Sequence, residues 1–331
     1  MIDKASSIVV TGGKGFLGTA ICRKLKESGY GSVHTFRSKH LDLTSPDAAC
    51  YMYEIYKPKV VIHLAAKVGG IGANMANPGS FTYDNLMMGM NVIEGARKYG
   101  SLKKLVIACT VCGYPCHCPV PFKEESLWDG YPEPTNAGYA IAKKALIVLG
   151  QGYRKQYGLN SVFLIPTNLM GIGDHFDLEN SHVIPAMLRK FHEAKVAKAP
   201  SVTLWGDGSP SREFLYVDDA AEAFVDAMEN YDEPDPLNLG TGREIRMTAL
   251  AKSVKAVVGY DGAIVWDRTR PNGQPRRCLS MERTFSKLSW RPHTNFEEGL
   301  RKTYEYYLRN EASRRRKGSR GHLPARNGHG A

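Results

Sequence analysis

The chain has 331 residues, of which 43% are hydrophobic and 23% charged, an ordinary composition for a globular protein. No stretch approaches the roughly 18 consecutive apolar residues of a membrane helix, and the N-terminal segment lacks the pattern of a signal peptide. The net charge is +11, and residues 311–331 supply +5 of it through six basic residues and one acid. These properties favour a cytoplasmic protein that binds an anionic small molecule. The sequence contains no motif for nucleic-acid or membrane binding.

The first half of the chain alternates short apolar strands with amphipathic helices. Strands are predicted at 6–10, 32–36, 60–66, 105–110 and 161–166, and helices at 19–30, 46–57, 85–100 and 139–158. The nearly continuous apolar character of 60–66 is typical of a parallel strand covered on both faces. The alternation predicts an α/β fold with a Rossmann-type, doubly wound parallel sheet.

A glycine-rich turn follows the first strand and opens the first helix. Gly12, Gly15 and Gly18 recur at every third position in the stretch TGGKGFLG. Glycines let the backbone approach a pyrophosphate, which the amides at the helix N-terminus then hold. The alternative is a tight turn required only for close helix–strand packing. The position between a strand and a helix favours dinucleotide binding.

The residues after the second predicted strand bear on which dinucleotide is bound. An acidic residue there would bind the ribose hydroxyls of NAD, but the chain has Arg37, Ser38 and Lys39 instead. Lys14 lies within the glycine-rich turn. Basic groups suit the extra 2′-phosphate of NADP(H), so NADP(H) is favoured over NAD, with solvated surface charges as the alternative reading.

The pattern changes after Pro166. A loop-rich segment leads to a helix near His182, and a later helix carries Asp218 and Asp219 at its N-terminus, where carboxylates suit the dipole. Residues 236–242 predict one more strand of the main sheet, and helices follow at 247–260 and 295–310. We therefore predict an NADP-binding Rossmann domain from 1–166 and about 213–243. A smaller α/β substrate-binding lobe is expected from about 167–212 and 244–310, with a basic disordered tail at 311–331.

Tyr139 and Lys143 lie one helical turn apart, in the pattern Y-x-x-x-K. Their side chains share one helix face. A neighbouring ammonium stabilises the tyrosinate and lowers its pKa, which makes the phenol a usable general acid, and Lys143 can also bind the cofactor ribose. A solvated helix face is the alternative, but the pair follows the fourth strand of a nucleotide-binding fold, where active sites lie.

The glycine-rich turn, Thr110 and the Y-x-x-x-K pair resemble the extended short-chain dehydrogenase/reductase family, and within it the GDP-L-fucose synthase group of GDP-4-keto-6-deoxy-D-mannose 3,5-epimerase/4-reductases. Longer stretches carry the resemblance, which spans about residues 8–308: AAKVGGIGAN (65–74), EPTNAGYAIAKKA (133–145), PTNLMG (166–171), NSHVIPAMLRKFHEA (180–194), WGDGSPSREFLYVDD (205–219) and PNGQPRR (271–277).

The resemblance implies an oxidoreductase with isomerase activity that epimerises a GDP-4-keto-6-deoxyhexose at C3 and C5 and reduces C4 with NADPH. In that group a cysteine and a histidine share the proton transfers, and the matching residues here are Cys112 and His182. Tyr139 then holds the C4 oxygen and later protonates it, Lys143 tunes Tyr139, and the Thr110 hydroxyl assists. The resemblance also implies a homodimer that pairs helices 84–99 and 138–157.

The resemblance further implies two sets of binding residues. Positions matching cofactor contacts are Gly12, Lys14, Gly15, Phe16, Leu17, Gly18, Arg37, Asp42, Leu43, Ala65, Ala66, Lys67, Lys143, Pro166, Asn168, Leu169 and His182. Positions matching GDP-sugar contacts are Asn168, Val183, Arg189, Lys190, Trp205, Arg212 and Arg277. The forked guanidiniums of Arg212 and Arg277 suit a diphosphate. The alternative for Trp205 is that it packs in the hydrophobic core.

The chain departs from the group's pattern at three places. Thr110-Val111-Cys112 replaces Ser-Ser-Cys, Gly113 replaces the usual isoleucine, and Lys190 stands where an arginine is expected. The residues of the acid/base set are all present, but these departures leave the identity of the sugar substrate open. A GDP-mannose-type 3,5-epimerase and a 4-reductase or epimerase of a related secondary-metabolite sugar are alternatives. A catalytically inactive nucleotide-binding scaffold is a further one, disfavoured by the presence of Tyr139 and Lys143.

Four of the seven cysteines lie close together, at Cys109, Cys112, Cys116 and Cys118. With His117 they offer enough donors for tetrahedral zinc. Cys109 falls inside a predicted buried strand, and the donors lack a second, more distant pair. We therefore favour no metal, a proton-transfer role for Cys112, and buried or loop thiols elsewhere.

Overall fold

The structure is a computed structural model that describes residues 2–178, 181–270 and 272–320. Its strands are β1 (Ile8–Thr11), β2 (Val33–His34), β3 (Val60–His63), β4 (Lys104–Ala108), β5 (Ser161–Pro166), β6 (Asn168–Met170), β7 (Ser201–Trp205), β8 (Ser211–Tyr216), β9 (Leu237–Leu239), β10 (Glu244–Arg246) and β11 (Ala263–Asp267). Its α-helices are α1 (Phe16–Glu27), α2 (Pro46–Tyr56), α3 (Ile71–Ala76), α4 (Pro78–Tyr99), α5 (Ala137–Tyr157), α6 (Val183–Val196), α7 (Val217–Asn230), α8 (Met247–Val258), α9 (Glu282–Lys287) and α10 (Phe296–Arg320).

Six parallel strands form the main sheet, in the order β2-β1-β3-β4-β5-β9. Helices α1 and α7 pack together, and α2, α4 and α5 pack side by side. The strands β1, β3 and β4 are buried along their whole length, because helices cover both faces of the sheet. The predicted Rossmann-type doubly wound sheet is confirmed, with β9 as its last strand.

A second, smaller unit has its own apolar core. It contains the three-stranded sheet β10-β8-β6, the parallel pair β11-β7 and the helices α6, α8 and α10. Phe191 of α6, Leu250 of α8 and Leu300 of α10 are fully buried in this core. The amphipathic spacing of these helices places their apolar side chains on one face. The unit stands against the carboxyl ends of the main parallel strands through β6 and β8.

Strand β8 forms the wall between the two cores. Leu215 belongs to the core of the main sheet, whereas Phe214 and Tyr216 belong to the core of the smaller unit. This division follows from the alternation of side chains along a strand. Leu279 and Trp290 pack in the first core, although the sequence assigned their segment to the smaller lobe. The core boundary therefore crosses the predicted domain limits, which stay predictions.

Helix α10 continues to Arg320, ten residues into the segment expected to be disordered. Extending an anchored helix avoids the cost of nucleation, and arginine is a good helix former, so a helix can run on into this segment; the disordered tail stays a prediction. Residues 321–331 of the predicted tail lie outside the described residues. In the described parts of the chain, no helix is apolar over a length that would cross a bilayer.

A buried carboxylate joins helix α7 to the segment that leads into α10. Asp219, at the start of α7, accepts the backbone amides of His293 at 3.1 Å and Thr294 at 2.9 Å. It also accepts the Thr294 hydroxyl at 2.8 Å. Its side chain is 1% exposed, so loss of the carboxylate leaves buried donors without an acceptor.

We expect Asp219→Ala to lower the free energy of unfolding by about 1–3 kcal/mol, because its buried donors lose their acceptor. Asp218→Ala is the matched control: Asp218 also lies in the first turn of α7 but is one-third exposed. Its loss is expected to cost less than about 1 kcal/mol. Urea denaturation of both variants checks this, and equal destabilisation would contradict it.

Candidate active site

One large cavity lies at the carboxyl ends of the parallel strands. Its volume is about 1030 Å³. The glycine-rich turn, the residues that follow β3, β4 and β5, and the inner face of the smaller unit line it. A cleft at the carboxyl edge of a doubly wound sheet is the usual ligand site of this architecture.

The glycine-rich turn makes a close backbone cradle at one end of the cavity. A Cβ on Gly18 would lie 2.2 Å from the carbonyl oxygen of Gly12. Gly12 has a φ of +69°, and a Cβ there would lie 2.8 Å from the Ala65 nitrogen. Gly15 is the N-cap of α1, so the first amides of that helix open into the cavity. This cradle fits the pyrophosphate of a dinucleotide.

The cavity wall beyond the cradle is basic. Arg37 and Ser38, which follow β2, line it together with Lys14 of the glycine-rich turn. Asp42 and Leu43 line the same part of the cavity. Lys39 is not among the lining residues. Lys14 and Arg37 have the charge that suits an additional phosphate on the adenosine ribose of a bound dinucleotide.

All five residues expected to take part in chemistry line this cavity, namely Thr110, Cys112, Tyr139, Lys143 and His182. Thr110 follows β4 and caps a short 3₁₀ turn, where its hydroxyl accepts the Cys112 amide at 3.2 Å. That turn therefore fixes the position of Cys112. Helix α5 carries Tyr139 and Lys143 to the same place.

The electrostatics of Tyr139 and Lys143 differ from the sequence expectation. Burial raises the pKa of Tyr139, and a hydrogen bond with Thr110 offsets only part of that rise. Burial lowers the pKa of Lys143 to about 8. The Lys143 ammonium donates to the Ala108 carbonyl at 3.0 Å. Tyr139 is therefore a neutral phenol, a state suited to donating a proton rather than accepting one.

His182 and Cys112 face the cavity from different elements. His182 is the N-cap of α6, and desolvation lowers its pKa, with further contributions from Arg277 and His175. A neutral imidazole can accept a proton. The Arg277 guanidinium donates to the Cys112 sulfur at 3.7 Å, and a thiol can donate a proton in turn. The pair therefore offers one base and one acid within a single cleft.

Arg212 and Arg277 bring two positive charges into the cavity. Burial and the neighbouring Arg277 lower the pKa of Arg212 to about 9. Arg277 contacts the amide oxygens of Gln274 at 3.1 Å and Asn168 at 3.4 Å, and Arg212 donates to backbone carbonyls. Within the described ranges, no carboxylate forms a salt bridge with either arginine. Two partly desolvated guanidiniums without a paired carboxylate have the charge and geometry that suit a diphosphate.

The buried carboxylate of Glu213 anchors this part of the cavity. It accepts the backbone amides of Leu279 at 2.8 Å, Gly242 at 2.6 Å and Thr241 at 2.5 Å. Its backbone carbonyl accepts the side-chain amide of Asn168 at 2.9 Å. Glu213 thus fixes the segments that carry Arg212, Arg277 and Asn168 relative to one another.

Most residues predicted to bind a ligand line the cavity, but Lys67 and Arg189 do not. The Lys67 ammonium pairs with Asp84 at 2.9 Å. The Arg189 guanidinium binds Glu193 at 2.7 Å and the Phe176 carbonyl at 3.0 Å. The i,i+4 spacing of Arg189 and Glu193 is visible in the sequence, whereas the contacts of Lys67 with Asp84 and of Arg189 with the Phe176 carbonyl are not.

Trp205 stands at the mouth of the cavity with half its surface exposed, so its alternative place in the core is wrong. The Lys190 ammonium and the Arg270 guanidinium lie 5.9 and 5.1 Å from the centre of its ring. An exposed indole flanked by cations offers a face on which a planar base can stack. Arg270 was not singled out from the sequence.

Two further residues of the site were missed from the sequence. The side-chain oxygen of Gln274 accepts a hydrogen bond from the Arg277 guanidinium. Its side-chain nitrogen donates to the carbonyls of Pro115 at 3.0 Å and Cys116 at 3.2 Å. Asp174 lines the cavity from the loop between β6 and α6. Gln274 lies within the family-like stretch 271–277, whereas Asp174 had only two flanking glycines as a signal.

All seven cysteines are free thiols. Cys109 ends the buried β4 region, and burial raises its pKa to about 12. Of the clustered cysteines, Cys109 and Cys112 line the cavity, whereas Cys116 and Cys118 do not. Among residues 2–178, 181–270 and 272–320, no three metal-ligating side chains come together.

The fold and the site define a dinucleotide-binding enzyme of the extended short-chain dehydrogenase/reductase type. Residues 8–240 match the model of the NAD dependent epimerase/dehydratase family. The chain belongs to that family.

Similar proteins cover nearly the whole chain. The GDP-L-fucose synthase of Sinorhizobium fredii is 46% identical over 92% of this chain and 96% of its own length. The structure of a GDP-L-fucose synthetase from Naegleria fowleri bound to NADP has a TM-score of 0.85 and 30% identity, covering 95% of this chain and 97% of the other. A GDP-6-OMe-4-keto-L-xylo-heptose reductase from C. jejuni has a TM-score of 0.89 and 29% identity over 93% and 99% of the two chains.

We expect Gly18→Ala to abolish dinucleotide binding, because the added methyl overlaps the Gly12 carbonyl and opens the cradle. Gly152→Ala is the control, since a Cβ there meets no atom within 4 Å and lies within helix α5. That change is expected to raise stability by about 0.4–1 kcal/mol. Fluorescence titration with NADPH and thermal melting of both variants measure the two effects. Unchanged NADPH affinity in the Gly18 variant would contradict the cradle.

Proposed function

We propose that this enzyme epimerises a GDP-4-keto-6-deoxyhexose at C3 and C5 and then reduces C4 with NADPH. The observation that carries the proposal is a single cavity lined by a dinucleotide cradle, the Tyr139–Lys143 pair, Cys112 with His182, and two uncompensated arginines. Each group supplies one requirement of the double reaction. The similarity to GDP-L-fucose synthases along nearly the whole chain supports the same assignment.

NADP(H) is the proposed cofactor. Lys14, Arg37 and Ser38 line the adenosine end of the cavity, where they suit a 2′-phosphate. The Naegleria fowleri neighbour is described as bound to NADP. When bound, the dinucleotide supplies the hydride for reduction. The glycine cradle and the amides of α1 hold its pyrophosphate, and Lys143 is placed to bind its ribose.

The arginine pair selects a nucleotide diphosphate as the activating group of the sugar. Arg212 and Arg277 bind the diphosphate through forked hydrogen bonds, and Trp205 stacks against the base. Arg277 also contacts Cys112 and Asn168, so the diphosphate site adjoins the reacting carbons. Binding energy gained on the nucleotide therefore positions the sugar.

Epimerisation requires a base on one face of the sugar and an acid on the other. A C4 ketone acidifies the protons at C3 and C5, because either carbanion is stabilised as an enolate. His182 and Cys112 exchange these protons, one removing a proton and the other returning one to the opposite face. The Tyr139 hydroxyl, with Thr110 beside it, holds the C4 oxygen while negative charge develops there.

Reduction uses the same oxygen contact. The Tyr139 phenol donates its proton to the C4 oxygen as hydride reaches C4, so the ketone becomes an alcohol with charge balanced. Lys143 lies one turn along α5 and, with a pKa near 8, restores the proton to Tyr139 at neutral pH.

A 3,5-epimerase without net reduction and a 4-reductase without epimerisation are the competing functions. The similarity to a C. jejuni 4-keto-heptose reductase is the reason to retain the 4-reductase as a candidate function. Incubation with NADPH and GDP-4-keto-6-deoxymannose in deuterium oxide separates them. We expect deuterium at C3 and C5 together with stoichiometric NADPH oxidation. Exchange alone would support the epimerase, and oxidation alone the reductase.

We expect Tyr139→Phe to lower the rate of hydride transfer by about 10²–10⁴-fold, because the proton donor to the C4 oxygen is lost. Single-turnover oxidation of NADPH, followed by absorbance, measures this. Tyr131→Phe is the control, because Tyr131 is 66% exposed and stands outside the cavity. A near-normal rate in the Tyr139 variant would remove this residue from the mechanism.

We expect Cys112→Ser to abolish deuterium uptake at C3 and C5 while NADPH affinity stays unchanged, because serine cannot replace the thiol as an acid or base near neutral pH. Mass spectrometry of the recovered sugar measures the uptake. Cys118→Ser is the control, because the Cys118 thiol does not line the cavity; this variant should incorporate deuterium at the normal rate. Normal exchange in the Cys112 variant would refute its assigned role.

We also propose that the enzyme is a cytoplasmic homodimer. Helices α4 and α5 pack together and expose apolar side chains two turns apart, Tyr83 and Met90 on one and Ile141 and Val148 on the other. Residues seven apart share one helix face. A second copy of these two helices would bury that face in a four-helix arrangement.

We expect the double change Met90→Glu and Val148→Glu to give a monomer, because two buried carboxylates oppose the apolar contact. Light scattering after gel filtration measures the mass. Ile55→Glu is the control, because Ile55 is an exposed apolar residue on α2; this variant should have the same mass in solution as the wild type. A dimeric double variant would place the interface elsewhere.

A further inference from the structure

The loop between β6 and α6 buries a carboxylic acid that the proposed reaction does not use. Asp174 is 6% exposed and lines the cavity. One of its oxygens accepts the His175 amide at 2.8 Å. The other oxygen is buried and meets no hydrogen-bond partner in the described parts of the chain. A buried polar atom that faces a ligand cavity without a partner indicates a bond to the ligand.

The backbone of this loop is shaped to bring Asp174 to the dinucleotide. Gly171 and Gly173 have φ values of +147° and +99°, which other residues rarely adopt. A Cβ on Gly173 would lie 3.5 Å from the Phe16 ring, and Phe16 is the first residue of α1. The loop therefore packs on the helix turn whose amides form the pyrophosphate cradle.

We propose that Asp174 binds the dinucleotide as a neutral carboxylic acid and donates a hydrogen bond to one of its phosphate oxygens. The inference rests on the proposed function, because it requires a dinucleotide in the cradle. An ionised carboxylate beside a pyrophosphate would repel it, whereas a protonated one supplies a donor to an acceptor-rich group. Binding then takes up a proton at this position.

The protonation equilibrium supports this role. Burial raises the pKa of Asp174 to about 7, opposed by the bond from the His175 amide. A bound phosphate raises that pKa further, so proton uptake is largest above pH 7 and vanishes well below it, where the acid is already protonated. The other titratable groups on the surrounding elements are Lys14, His175, Asp177, His182, Tyr216 and Asp218. None of their side chains is a cause of the shift at Asp174.

Calorimetric titration of the full chain with NADP⁺ at pH 7.5, in buffers of different ionisation enthalpy, measures the protons taken up on binding. The wild type is expected to take up a larger fraction of a proton than Asp174→Asn, an uncharged variant that keeps a donor. The 2′-phosphate of NADP⁺ and all other groups contribute equally to both proteins. Asp177→Asn, an exposed carboxylate on the same loop, should match the wild type.

Affinity measured from pH 6 to pH 9 gives a second readout. Wild-type affinity should fall more steeply above pH 7 than that of Asp174→Asn, by up to about a further tenfold per pH unit, because the titration of Lys143 is common to both proteins. Equal proton uptake in the two proteins, or a larger proton release by the wild type, would overturn the inference about Asp174. The proposed function would still be upheld by the binding of NADP⁺ itself. Absence of NADP⁺ binding by the wild type would reject both. Should the Asn variant not fold, infrared difference spectra of the wild type decide the matter: the carbonyl stretch of a protonated acid must grow when NADP⁺ is added at pH 8.

Discussion

The hydrogen bonds of Glu213 hold the substrate side of the cavity in one arrangement. The carboxylate receives amides from two separate segments, 241–242 and 279, and the carbonyl of the same residue receives Asn168. Each such bond contributes about 1 kcal/mol in net terms, but leaving the buried donors unpaired costs more. The carboxylate is fully buried between the two cores, so this region has few alternative arrangements. The spacing of the two arginines beside it follows from that constraint.

Arg277 links recognition to chemistry. Its guanidinium contacts the Cys112 sulfur, the Asn168 amide and the Gln274 amide, which come from three different parts of the chain. Under the proposed function, a diphosphate bound to Arg277 would lie beside the Cys112 thiol. Cys112 follows a strand of the main sheet, Asn168 lies in β6 of the smaller unit, and β8 of that unit carries Arg212. Under the proposed function, substrate binding and proton transfer would depend on the same contact between Arg277 and Cys112.

The features that sequence patterns predicted are local ones. The glycine-rich turn and the Tyr139–Lys143 pair could be found because spacing along a strand or a helix dictates which side chains lie together. The failures concern partners distant in sequence or loops without periodicity. Lys67 is held by Asp84, and Arg189 by the Phe176 carbonyl, and no periodic pattern reports either contact. The loop that buries Asp174 likewise contains two glycines with positive φ, one of which lies beside Phe16 of a helix distant in sequence.

The carbonyl of Ala108 terminates β4 directly beneath the reaction site, and the Lys143 amine rests on it. With its pKa near 8, this amine exists in both protonation states over the pH range of ordinary cells. It can therefore give up a proton as well as hold one. In the proposed reaction, a phenol that has given up its proton can regain one from this amine at once, and the amine then takes a proton from solvent before the next turnover.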